Sequence, residues 1–233
     1  MIGWALLLSV ALGGPVGDGA SSYAEGSLDD AIGTWEAALG PQASGALLYN
    51  LGTAEARRGD PARAVGYLRA AQRLRPRDGS VHHNLAMARS ELSGVPAPIA
   101  PPVGWALALT PGELGLLASL VTGLGSLLVV VGVRREGLTV PGSVLLGVGL
   151  VGASVASWGG WQHQQHPVGV VVDRDASLRD AASLEGRRRG ELPVGSEVQV
   201  ERAYGSFLLV EDGRGRRGWV PRAALLVPAL SGE

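Results

Sequence analysis

Tyr49-Asn50-Leu51-Gly52-Thr53-Ala54 returns one helical-repeat length later as His83-Asn84-Leu85-Ala86-Met87-Ala88, and this echo decides the fold of the first part of the chain. Similarity at that spacing is the signature of stacked helix-turn-helix units, each of which buries its apolar face only against a neighbour. Within the complete unit, Gly52 and Ala64 are small enough to let two helices approach closely, and Leu48, Leu51, Leu68 and Leu74 fill the seam between them. Asp60 before Pro61 is an N-cap followed by proline at the first helical position, so a second helix starts there, and Pro76 stops it. Upstream, Ser27 with Asp30 three residues on resembles a capping box. It opens a helix carrying Ala31, Trp35 and Ala38, the second half of an earlier unit.

Leu48, Leu51, Gly52, Gly59, Ala64, Leu68, Ala71 and Pro76 stand where tetratricopeptide repeats place their packing residues, small contacts and terminal proline. Residues 21–94 therefore resemble a short tetratricopeptide module of about two repeats. The resemblance places Tyr49, Asn50, Thr53, Arg57, His83, Asn84 and Met87 on the inner, ligand-facing helices. The two asparagines can hold the backbone of an extended peptide, or can bond within the repeat instead.

The rest of the chain is organised by its charge. Formal net charge is −1, the positive charge is all arginine, and cysteine is absent. Balanced flanks give no basic face for nucleic acid, and the lack of cysteine removes disulfides, thiolate metal sites and a cysteine nucleophile together. Residues 1–20 read as a signal peptide, with an apolar stretch from Ile2 to Val16 and small residues in Gly17-Asp18-Gly19-Ala20. Residues 95–112 form a linker whose run Pro96-Ala97-Pro98-Ile99-Ala100-Pro101-Pro102 favours a stiff extended spacer.

Two spans, 113–133 with an uncharged run from Leu114 to Val133, and 140–161 without charge, are long enough at helical rise to predict a transmembrane hairpin. The short link 134–139 carries Arg134 and Arg135, which places it in the cytoplasm and both flanking modules outside. Trp105, Trp158 and Trp161 then fall near the outer interface. Ser119, Gly123, Gly149 and Ala153 recur at helical spacing and would let the two spans pack closely. Gly147-Val148-Gly149-Leu150-Val151-Gly152 has the glycine pattern of a dinucleotide-binding turn but lacks a strand-turn-helix setting. His163 and His166 are two imidazoles with no thiolate or carboxylate beside them, which makes a poor metal site.

After Pro167 the apolar period changes to two. Val168 to Val172, Val198 to Tyr204, Phe207 to Glu211 and Arg217 to Val220 read as strands, with Asp212-Gly213 marking a hairpin and Arg187 to Arg189 a solvated loop. So many short strands in residues 167–230 predict a small closed barrel. Gly218-Trp219-Val220-Pro221 followed by Ala223, Ala224 and Leu225 resembles the ending of bacterial SH3-like domains. That resemblance makes Tyr204, Phe207, Trp219 and Pro221 candidate ligand contacts, while Phe207 and Trp219 also suit a small domain's core.

The expected fold class is thus multi-domain α + β: a tetratricopeptide array, a two-helix transmembrane hairpin and an SH3-like β-barrel. No metalloprotease helix, nucleophile elbow, phosphate-binding loop or framed carboxylate pair occurs, so neither an enzyme nor a cofactor is expected. The order of modules, with Tyr49-Asn50-Leu51-Gly52, Asn84-Leu85-Ala86-Met87-Ala88-Arg89 and Gly218-Trp219-Val220-Pro221, resembles BatE-type proteins of bacterial aerotolerance operons. The resemblance implies an inner-membrane adaptor acting with von Willebrand A-type membrane proteins and a MoxR-type ATPase. The alternative is a sensor whose barrel binds peptidoglycan peptides.

Overall fold

The structure is a computed structural model that describes residues 15–40, 43–95, 111–132, 143–144, 146–154 and 167–228. The chain divides into two compact units, one made of Met1–Ile99 with His166–Glu233 and the other of Ala100–Gln165. In the first unit the helical and β modules are packed on each other although the second unit lies between them in sequence.

The helical module contains α1 (Pro15–Glu25), α2 (Leu28–Ala37), α3 (Gly45–Arg58), α4 (Pro61–Leu74) and α5 (Gly79–Ser90). Its start signals work as the sequence reads them at α4, where the Asp60 carboxylate accepts from Arg63 N at 3.0 Å and Pro61 holds the first position. Ser44 and Asp78 cap α3 and α5 in the same way. Ser27 does not: α2 begins after it with no side-chain capping bond. Gly59 ends α3 in the left-handed region at φ 90°, a conformation that costs glycine nothing.

The seam between α3 and α4 holds Leu48, Leu51 and Leu68, all buried, and a Cβ on Gly52 would stand 2.6 Å from Leu68 Cγ. Leu74 is instead 51% exposed, at the last turn of α4, where its Cβ would stand 3.1 Å from a Cβ on Gly45 at the start of α3. The earlier unit is a complete helix pair. Gly17-Asp18-Gly19-Ala20, expected as a cleavage zone, lies inside α1, where a Cβ on Gly19 would run into the Trp35 ring. Trp35 is fully buried and donates from its indole nitrogen to Val16 O at 3.1 Å.

The β module is one antiparallel sheet of β1 (Val168–Val171), β2 (Ser177–Arg179), β3 (Arg188–Glu191), β4 (Glu197–Tyr204), β5 (Phe207–Asp212), β6 (Arg217–Pro221) and β7 (Leu225–Leu226). The order is β3-β2-β6-β5-β4-β1-β7, with β3 and β7 as edges. The expected closed barrel is therefore a curved, open sheet, because the two edge strands do not pair with each other. A bulge at Glu201 in β4, between Val200 and Arg202, supplies part of the curvature. Arg188 and Arg189, expected in a loop, belong to edge strand β3. The concave side carries Val198, Val200, Leu208, Val210 and Val220 into a core of its own. Gly218 must be small there, since a Cβ would stand 2.8 Å from Leu178 Cβ.

The transmembrane hairpin is the main correction. Among the described residues no helix is long and apolar enough to cross a membrane. Helix α6 (Pro111–Gly132) interleaves its leucines and valines with Glu113, five glycines and the hydroxyls of Ser119, Thr122 and Ser126, which bond back to their own helix. Of the second expected span, 143–144 and 146–154 are helical. Within this second unit, Gly149 seats against Thr122 and Gly152 against Ala118, so small residues do mediate helix packing, while Gly123 faces open space. Arg134 and Arg135, the proline run, Trp105, Trp158, Trp161, His163 and His166 lie outside the described residues.

Candidate functional site

The inner-helix residues divide sharply. Tyr49, Asn50, Thr53 and Asn84 are buried at 7% exposure or less, whereas Arg57 and His83 are exposed and Met87 is half-buried. Asn84 Nδ2 lies 3.2 Å from both Tyr49 Oη and Thr53 Oγ1, and Thr53 Oγ1 donates to Tyr49 O at 2.8 Å. The Asn84 amide, one of the two that could have held a peptide backbone, instead ties α5 to α3. Arg57 lies over the Tyr23 ring at 4.6 Å, a cation–π contact that fixes its guanidinium.

Behind this surface sits a charged network that belongs to the scaffold. Glu55 is fully buried and accepts from Arg63 Nε at 2.8 Å and from Arg58 at 2.6 Å. Arg63 also reaches Glu36, which accepts from Tyr67 Oη at 2.7 Å. Burial pushes the Glu55 carboxyl above its ordinary range against the pull of the two arginines. All its oxygens are used within the fold, so it is a strut between α3 and α4 rather than a free acid.

The sheet presents a different picture. Residues directly opposite on antiparallel strands share a face, so the register sorts the convex side into two halves. On one half, Leu226, Val170 and Glu197 form a row across β7, β1 and β4. Val170 is part of the helical module's core, Leu226 packs against that core, and a Cβ on Gly66 of α4 would stand 2.6 Å from Leu226 Cδ2. Glu197 is 3% exposed by side chain and is shared by Arg69 Nε at 3.3 Å and the Arg89 guanidinium. Arg73 lies close by, its guanidinium lowered to about 10 by burial and then by the neighbouring charge of Arg69. Leu92 closes the border against Gly195. This half is sealed by α4 and α5.

On the other half, Arg202, Leu209, Trp219 and Arg179 form a row across β4, β5, β6 and β2, and Arg188 extends it onto β3. Tyr204, Phe207 and Pro221 make the next row. Tyr204 is 68% exposed and meets the Trp219 ring edge-on at 6.3 Å and 67°. Phe207 is 8% exposed, which makes it a packing residue under its neighbours. Of the four aromatic and proline candidates read from the sequence, then, Tyr204, Trp219 and Pro221 reach solvent and Phe207 barely does. Arg202, Leu209, Arg179 and Arg188 were missed. Strand alternation would have found Leu209, but the bulge at Glu201 turns Arg202 outward against the alternation of Val198 and Val200, and β2 and β3 are too short to read.

The β5–β6 connection that frames this half is held by Asp212. Its carboxylate accepts from Arg214 N at 2.9 Å, Arg216 N at 2.8 Å and Arg216 Nε at 2.8 Å. Burial works against its charge, and the bonds from Arg216 and Arg214 overcome it, holding the carboxyl below its usual range. The cleft between this loop and β3 is lined by Glu191, Ser196, Glu197, Asp212 and Arg216. Its Asp212 and Glu197 are already paired, which leaves no free acid–base couple. Among the described residues no three His, Cys, Asp or Glu side chains converge as metal ligands. No known family model matches the chain, and no curated protein or solved structure matches it significantly.

Proposed function

We propose that this chain is a non-catalytic adaptor that docks a protein partner on the open half of its sheet, with the helical module serving as the rigid backing of that sheet. The observation that carries this reading is the division of one continuous face. Half of it is covered by α4 with a buried ion cluster, and half presents an exposed tyrosine against a half-buried tryptophan in a frame of arginines. Aromatic and arginine side chains on a preformed surface are the residues that dominate protein interfaces. The helical surface is the weaker candidate, because Asn84, Thr53 and Tyr49 are engaged with one another. The resemblance to BatE-type proteins supports an adaptor and suggests von Willebrand A-type proteins and a MoxR-type ATPase as the first partners to try.

Site-specific photo-crosslinking tests it. A crosslinker placed at Leu209 should trap a protein, and the adduct should disappear with Trp219→Ala, while a crosslinker at His83 should trap none. Adducts at His83 alone would return the binding role to the helical surface and overturn the reading.

A further inference from the structure

We infer that the partner segment received by the open half is acidic and extended, about six residues long, with carboxylates toward both ends and an apolar or aromatic residue between them. This deepens the adaptor reading and rests on it.

The first observation is the order of chemistry along the row: Arg202, then Leu209 and Trp219, then Arg179 and Arg188. It is cationic at both ends and apolar in the middle. Five strands span four inter-strand steps, about 19 Å, which an extended segment of about six residues covers.

The second observation is that these charges are not neutralised within the fold. Among the described residues no carboxylate pairs with Arg179, Arg188 or Arg202. The nearby acids are engaged: Glu211 and Glu201 bind Arg217 at 2.7 and 3.1 Å, and Asp180 accepts from the Arg187 amide at 2.9 Å. Arg179 donates from Nη1 to the backbone carbonyls of Leu184 and Gly186, while its buried Nε has no hydrogen-bond partner, so no carboxylate cancels its charge. Arg179 and Arg188 are direct cross-strand neighbours. Like charges in that position repel and destabilise the sheet, and a bound carboxylate would convert the repulsion into attraction.

The third observation is the covered half, which shows how this face takes a partner. There the sheet offers a carboxylate, Glu197, and the helical module answers with Arg69 and Arg89 around an apolar contact at Leu226. On the open half the sheet offers guanidinium groups, so complementarity requires carboxylates from the other side.

Fluorescence anisotropy on the full chain tests the inference, using a labelled hexapeptide with two glutamates at each end and a tyrosine–proline pair in the middle. A control peptide has lysines in place of the glutamates. The glutamate peptide should bind saturably and weaken with salt, and the lysine peptide should bind at least about tenfold more weakly. R188E/R202E should weaken the glutamate peptide about tenfold or more. The same variant should unfold no earlier than the parent, since Arg188→Glu replaces a repulsive pair with an attractive one, so lost binding would not reflect lost folding. Equal binding of both peptides, or an unchanged affinity in R188E/R202E, would overturn the proposal. So would displacement of the glutamate peptide by a peptidoglycan stem peptide at lower concentration than unlabelled glutamate peptide, which would make the occupant a wall component. If no peptide binds while the Leu209 crosslink persists, the acidic chemistry is wrong and the adaptor stands; if the crosslink is also absent, both fall.

Discussion

The two halves of the sheet's convex face are built on the same strand pairings and differ in what faces them. The β7–β1–β4 half is buried, carries one carboxylate, and is covered by a helix of the same chain. The β4–β5–β6–β2 half has more aromatic surface and more charge, and Tyr204 stands largely in solvent. The difference teaches that apolar content alone does not decide which surface is internal. The covered half has Gly66 of α4 against it, so two backbones can come close enough to exclude water from an ion cluster.

The largest effect should come from Glu197→Ala. It leaves Arg69 and Arg89 at a buried junction without their shared carboxylate, at a cost of roughly 3–5 kcal/mol. Chemical denaturation of the full chain should show it, and a loss below about 1 kcal/mol would mean that the junction is wet and the two halves are alike. Next, Leu226→Ala on the covered half should cost about 2 kcal/mol, while Trp219→Ala on the open half should cost about 1 kcal/mol or less despite its larger side chain. Paired melts of the two variants decide the ranking, and a reversal would show that Trp219 is core.

The pH dependence sharpens the comparison at a smaller scale. Asp212 titrates below its ordinary value when folded, so its contribution is present above the unfolded carboxylate range and is lost as pH falls through the depressed folded value. Asp212→Asn should therefore destabilise by about 1.5 kcal/mol at neutral pH, and the deficit should shrink toward zero in strong acid. Glu55 has the opposite sign: its folded value is raised, so its contribution is fullest at low pH and declines as pH rises through that value. Smallest of all, Arg202→Ala should change stability by no more than about 0.5 kcal/mol, and its effect should appear in partner binding instead.

Local signals served the sequence reading well where a segment carries its own instructions. Asp60 and Pro61 start α4, Gly52 marks a close helix approach, and alternation from Val198 to Asp212 gives β4 and β5. It failed where composition imitates something else. Uncharged runs from Leu114 onward look like membrane spans, although no described helix is both long and apolar enough for that role. β2, β3 and β7 have two to four residues each, too few for a period to show.

By itself, the sequence determined the start of α4, the close approach of α3 and α4 and the existence of β4 and β5, because those depend on residues within a few positions of each other. Only the tertiary structure decided which half of that side stays open. Glu197 meets Arg89 across 108 residues of chain, and Leu226 meets Gly66 across still more. Contacts at such separations are selected by the fit of whole surfaces, and no local pattern records them.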